Sequence, residues 1–298
     1  MKCKVLVTKG QGYFEEQEWN KPDISDTEIE VKSLMTGVCR SDIDMMQGNF
    51  GPLPLEMQGH EGLGQVIAVG SSIQNVKVGD IVATRGEPAY SDYYNARDGE
   101  FVVVPEAQPK YILEPVACGV NVVMQAEQEI LDRQGEGKRL LILGSGFLAW
   151  VAYNTLVLNT FHFDIDVVGR SNRDLWKDNL KDRHSGTYDV VIDLSSYDDV
   201  FTSPILNENA LVIFGAQKEV TTDFSNLLWK ACTMIFPSPR NPKFIKCMKA
   251  AEYWITNGHL DVDKFWTRSY NRNTEWQKAF GDGINRPQGY SRGYIQWD

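Results

Sequence analysis

Two groups of residues have the types and spacing to do chemistry. The run GVCRSD carries Cys39, Arg40, Ser41 and Asp42, and GHEG, with His60 and Glu61, follows 21 positions after Cys39. A thiolate, an imidazole and a carboxylate are a ligand set that zinc accepts at a catalytic centre, with one position left open for water or substrate. Each residue alone has a plainer explanation: a lone cysteine more often fills a core, and a lone histidine more often serves a structural hydrogen bond. The chain has only 4 histidines, however, and this one stands in a glycine-flanked turn.

The second group lies in LLILGSGFLA, which sets Gly144, Gly146 and Ala149 in G-x-G-x-x-A spacing between a strand-like run and a helical one. The first glycine permits a tight turn, the second lets a pyrophosphate approach the backbone, and the small third residue lets helix and strand pack closely. Free N–H groups at the helix start, around Phe147 and Leu148, would face the phosphates. In such folds the end of the second strand faces the adenosine ribose, where an acidic residue about 20 positions on reads the 2′-hydroxyl. Here DIDVVGRSN carries Gly169, Arg170 and Ser171 at that end. A small residue makes room for a 2′-phosphate and a guanidinium with a nearby hydroxyl can bind it, so NADP(H) is expected over NAD(H). Asp166 would reverse this if the strand ended three residues earlier, and the apolar pair Val167-Val168 argues against that.

These groups need elements to hold them. KVLVTK, EIEVKSL, GLGQVIAVG, DIVAT and EFVVVP, all within the first 115 residues or so, read as strands of an antiparallel, barrel-like region. From about residue 116 the pattern becomes strand–helix alternation: a helix near VACGVNVVMQAEQEILDRQ, then RLLILG, a helix from Phe147, DIDVVG, YDVVIDL and ALVIFG. Short continuous apolar runs of this kind suit parallel strands covered on both faces, so a doubly wound α/β sheet is expected. After Pro237 and Pro239, NPKFIKCMKAAEYWITNG reads as an amphipathic helix ended by Gly258, and the aromatic-rich tail reads as core packing.

Composition bounds the rest. With 298 residues, 42% hydrophobic and 23% charged, two ordinary domains are expected. A net charge of −10 disfavours nucleic acid and anionic membranes as partners. Five scattered cysteines without a CxxC pair argue against a disulfide framework, and no run reaches membrane-spanning length, so a cytoplasmic protein is expected.

The segment from Cys39 to Asp80, with GHE-x2-G-x5-G followed by VGD, resembles the catalytic core of the medium-chain dehydrogenase/reductase family, specifically its zinc-containing alcohol and polyol dehydrogenases. The GSGFLA turn, YDVVIDLSS, ALVIFGA and GHLDV fall where that family would have them, so the likeness covers nearly the whole chain. The resemblance implies a GroES-like β-barrel catalytic domain over 1–115 and 239–298, with a Rossmann dinucleotide-binding domain, 116–238, inserted. It implies one catalytic zinc on Cys39 and His60, with Glu61 a direct or switching ligand. Glu114 of ILEPVACGV matches a glutamate of the polyol branch. Cys118 is a rival third ligand, although a small helix residue against the core is its plainer reading. Ser41 would relay the substrate proton, Arg40 would lie near the cofactor phosphates, and Asp42 would orient His60 from behind. The implied activity is hydride transfer between NAD(P)(H) and a small alcohol, polyol or carbonyl compound. A metal-free quinone or enone reductase and a catalytically silent nucleotide-binding protein are the alternatives.

Two features depart from the family pattern. Members with a structural zinc carry four close cysteines after VGD, whereas TRGEPAYSDYYNARDGEF has none. That lobe is expected to be missing, and with it a common subunit contact, which leaves edge-to-edge pairing of nucleotide domains as the route to a homodimer. Trp150, directly after Ala149, is also bulkier than expected there.

Overall fold

The computed structural model describes residues 1–49, 57–176, 179–195, 200, 204–216 and 224–297. The part of the Cys39–Asp80 segment from Phe50 to Glu56 lies outside them. The chain divides into two compact units, Met1–Pro115 with Met248–Asp298, and Val116–Cys247. The second division falls inside a helix, Phe244–Thr256, and so comes later than the 238/239 boundary read from the prolines, which mark the approach to that helix.

In the first unit, β1 (Lys2–Val7) pairs antiparallel with β2 (Glu15–Asn20). A larger sheet runs β14-β15-β3-β4-β5-β7, with β6 also on β3; its strands are β3 (Glu28–Gly37), β4 (Glu61–Val69), β5 (Ile81–Arg85), β6 (Tyr93–Arg97), β7 (Phe101–Val104), β14 (Trp266–Asn271) and β15 (Arg292–Gln296). β3 starts with the alternation a half-buried strand requires: Ile29, Val31 and Ser33 are buried and their neighbours are not. The aromatic tail returns to this sheet, since β15 pairs antiparallel with β3. β2 and β6 were not legible as strands. EEQEWN has no buried residue, and YYNAR looks like loop until β3 supplies its partner.

In the second unit six parallel strands take the order β10-β9-β8-β11-β12-β13, namely β8 (Arg139–Leu143), β9 (Asp164–Val168), β10 (Leu180–Lys181), β11 (Tyr188–Asp193), β12 (Leu206–Phe214) and β13 (Thr233–Ile235). This is the doubly wound order, with its switch point beside β8. β11 is buried along its whole length, as a central parallel strand should be. The helix expected over 116–134 is in fact two, α2 (Leu113–Met124) and α3 (Glu127–Leu131). They are separated at Ala126, which leaves helical geometry at φ −106 and ψ 12.

Candidate metal centre and nucleotide turn

β3 and β4 run antiparallel with Thr36 opposite Gly62, so residues just past β3 and just before β4 emerge at one end of the sheet. Cys39 comes there in extended geometry, φ −85 and ψ 150, directly ahead of α1 (Arg40–Met46). His60 precedes Glu61, the first residue of β4. One potential ligand atom from each of Cys39, His60 and Glu61 lies within 4.8 Å of the other two. Two glycines make this approach possible. A Cβ on Gly37 would sit 1.9 Å from Glu61 Oε2, and Gly59, at φ +94, lies so close to Tyr90 that a Cβ would meet its backbone nitrogen at 2.6 Å.

Behind the ligand atoms stands a buried polar frame. His60 Nδ1 lies 3.2 Å from Asp42 Oδ1, and Tyr90 donates to Asp42 Oδ2 at 2.8 Å. Asp42, Glu61 and Tyr90 are each 0% exposed. Arg292, the first residue of β15, donates Nη2 to both carboxylate oxygens of Glu61, at 2.6 Å to Oε1. Burial, then the Glu61 carboxylate, push the Cys39 thiol above its usual range. Burial opposes charge on His60, yet Asp42 and Cys39 outweigh it and hold the imidazole well above its ordinary pKa. Burial and then Asp42 drive the Tyr90 phenol well up, so it stays a donor. The protons on Cys39 and His60 are ones a divalent cation would displace, because metal ligands bind deprotonated.

Ser41 donates to Cys39 Sγ at 3.2 Å, which places its hydroxyl at the rim of the ligand set. Arg40 pairs with Asp44 through Nε and Nη2, each at 2.9 Å, on the exposed side of α1. Glu114 is buried in the first turn of α2 but does not belong to the mutually close set of ligand atoms among the described residues. Cys118, on the same helix, is half-buried. Sequence reasoning missed Tyr90 and Arg292. Arg292 is 231 positions from Glu61, and nothing in its neighbourhood GYSRGY marks it as an acid's partner.

In the second unit β8 ends at the glycine turn. Gly144 adopts φ +112, with Leu194 O 3.0 Å from where a Cβ would sit. Gly146 caps α4 (Phe147–Leu158) in extended geometry, and no atom lies within 4 Å of its Cβ position. That open face over a helix start is what a pyrophosphate needs. Trp150 turns its bulk inward, edge-on to Trp176 at 5.3 Å. β9 runs through to Val168 before Gly169, Arg170 and Ser171. Asp166 stays inside the strand, bonded by Arg139 Nη2 at 2.8 Å and the Tyr188 hydroxyl at 2.9 Å.

Residues 25–111 match the alcohol dehydrogenase GroES-like domain. The D-arabitol-phosphate dehydrogenase of Enterococcus avium is 23% identical over 317 residues, covering 87% of each chain. Among solved structures, one named as a short chain alcohol dehydrogenase from E. coli CFT073, complexed with NADH, aligns at TM-score 0.80 over 99% of both chains with 17% identity. A Sinorhizobium meliloti 1021 protein bound to NADP aligns at 0.75, over 99% of both chains, with 16% identity. The fold is therefore the expected α/β pairing of a GroES-like unit with a doubly wound parallel sheet.

Proposed function

We propose that this chain, whose residues 25–111 match the alcohol dehydrogenase GroES-like domain, is a zinc-dependent oxidoreductase of the medium-chain dehydrogenase/reductase family. It would move a hydride between NADP(H), in preference to NAD(H), and a small alcohol, polyol or carbonyl compound. The observation that carries this reading is the convergence of Cys39, His60 and Glu61, with Asp42 set behind His60.

The residues fit the metal. A soft thiolate, an imidazole and a carboxylate suit zinc, and their ligand atoms, all within 4.8 Å of one another, are close enough to hold one ion. Asp42 faces Nδ1 of His60, which leaves Nε2 for the metal. Cys39 and His60 are the fixed ligands, and Glu61 or Glu114 completes the protein set. Arg292 competes for Glu61. Zinc, when bound, supplies the Lewis acidity that steadies negative charge on the substrate oxygen, and the nicotinamide gives or takes the hydride. Ser41 holds the substrate proton and passes it outward.

The cofactor preference rests on β9. With Asp166 held by Arg139 and Tyr188, the residues that follow β9, Gly169, Arg170 and Ser171, bring no carboxylate of their own to repel a 2′-phosphate. The proposal also includes a homodimer joined at β13, an edge strand of its sheet, flanked in sequence by the exposed Leu228, Trp229 and Phe236; sedimentation at increasing concentration tests it.

Metal analysis joined to an alcohol and aldehyde panel with both cofactors, read by nicotinamide absorbance, tests the enzyme reading. Turnover that tracks zinc content and disappears on chelation is expected. Full activity in metal-free protein would instead favour a quinone or enone reductase, and cofactor binding without turnover a silent nucleotide-binding protein.

A further inference from the structure

We infer that Ser145, the residue between the two glycines of the nucleotide turn, is a positioning residue for cofactor selectivity: it clamps the loop after β9 so that Arg170 and Ser171 meet a 2′-phosphate. This inference rests on the NADP(H) reading above. Ser145 is 3% exposed, and its polar atoms are turned to that loop. Its hydroxyl donates to Ser171 O at 2.7 Å and accepts from Ser171 N at 3.1 Å. Its carbonyl accepts from Asn172 Nδ2 and from Trp176 Nε1, each at 3.0 Å. Asn172 stands at φ +55, a left-handed conformation that asparagine tolerates better than most side chains. These hydrogen bonds fasten two loop residues, Ser171 and Asn172, and Trp176 of the short helix Arg173–Trp176 to one turn residue.

The same serine restricts what residue 169 can be. A Cβ on Gly169 would lie 2.3 Å from Ser145 Oγ, 2.5 Å from Ser145 Cβ and 2.7 Å from its backbone nitrogen. The space a ribose-reading aspartate would need at that position is therefore filled by the clamp. Serine at 145 and glycine at 169 form one device, which holds the loop in place and excludes the acid. A guanidinium on a fixed loop discriminates a phosphate better than one on a mobile loop, because less freedom is lost on binding.

The test is direct calorimetric binding of NADPH and NADH to the zinc-loaded protein and its variants, with thermal melting as the check on folding. Ser145→Ala is expected to weaken NADPH by about tenfold and NADH by less than about twofold, the scale of losing hydrogen bonds that act on only one ligand. Trp176→Phe, which removes one donor and leaves Ser145 in place, is expected to shift the ratio the same way and by less. Gly169→Asp is expected to weaken both cofactors, and adding Ser145→Gly relieves only part of the overlap, because the backbone nitrogen of residue 145 stays 2.7 Å from the new Cβ. Arg170→Ala separates this inference from the cofactor reading beneath it. If Arg170→Ala leaves the NADPH to NADH ratio unchanged, the cofactor reading fails. If it collapses the ratio while Ser145→Ala, folded, leaves it intact, the clamp is refuted and the cofactor reading stands.

Discussion

Arg292 and Glu61 form a buried ion pair across β15 and β4, with Nη2 of the arginine bonded to both carboxylate oxygens. Glu61 is therefore held by a cation already present in the chain, and a metal would have to share its carboxylate with that partner. The pair has no exposed acid, and Arg292 has a side-chain exposure of 13%.

Removing one member of such a pair strands the other. Arg292→Met is expected to cost roughly 3–5 kcal/mol, because it leaves a buried carboxylate uncompensated. Glu61→Gln combined with Arg292→Met should recover much of that loss. Denaturant unfolding of the two single variants and the double variant measures the coupling, and simple additivity would refute a strong pair.

Gly37→Ala is expected to disrupt the centre even though its backbone conformation permits a side chain, because the new Cβ would overlap Glu61 Oε2. Lower zinc content and a lower melting temperature should appear together. A variant with full metal content would show that Glu61 moves freely.

Cys39→Ser is expected to abolish zinc retention and turnover while shifting the melting temperature little, since the residue caps a short helix at a sheet end and is only half-buried. Metal analysis of the wild type should give at most one zinc per chain. Two would overturn the expectation that the structural-zinc lobe is missing.

Tyr90→Phe removes the donor to Asp42 and with it part of the frame that orients His60. A stability loss of about 1–2 kcal/mol is expected, with zinc affinity falling by about 10-fold or more, the range seen when the outer partner of a metal-bound histidine is lost. Unchanged zinc affinity in competition with a chelator would show that Asp42 orients His60 unaided.

Asp189 provides the pH test of the second unit. Burial would raise its pKa, yet the Arg139 backbone N–H and the Lys138 ammonium outweigh burial and hold it below the usual range. A carboxyl depressed on folding contributes stability above its unfolded pKa, about 3.9, and loses that contribution as pH falls through the folded value. Asp189→Asn should thus be less stable than wild type at neutral pH by about 1 kcal/mol, and the gap should close in acid. Unfolding midpoints across the acid range check it, and a gap independent of pH would refute the assignment.

The sequence by itself determined what could be written in short spacings. Gly144, Gly146 and Ala149 marked the turn from β8 into α4, because a strand–turn–helix unit is a local structure with a local pattern. Continuous apolar runs such as YDVVIDL marked the parallel strands, and Cys39 with His60 and Glu61 marked a set of potential ligand atoms that the fold brings within 4.8 Å of one another. Only the tertiary structure decided which groups surround those residues. The register that sets Thr36 opposite Gly62 brings the cysteine to the histidine, and the pairing of β15 with β3 brings Arg292 to Glu61 across 231 positions. The clamp on Ser145 depends on how the loop after β9 turns back onto the glycine turn, 26 positions earlier. β6 likewise became a strand only with β3 as its partner. Hydrogen bonds and ion pairs between distant segments leave no periodicity in the chain, because they are specified by packing at both ends and by nothing in the sequence between.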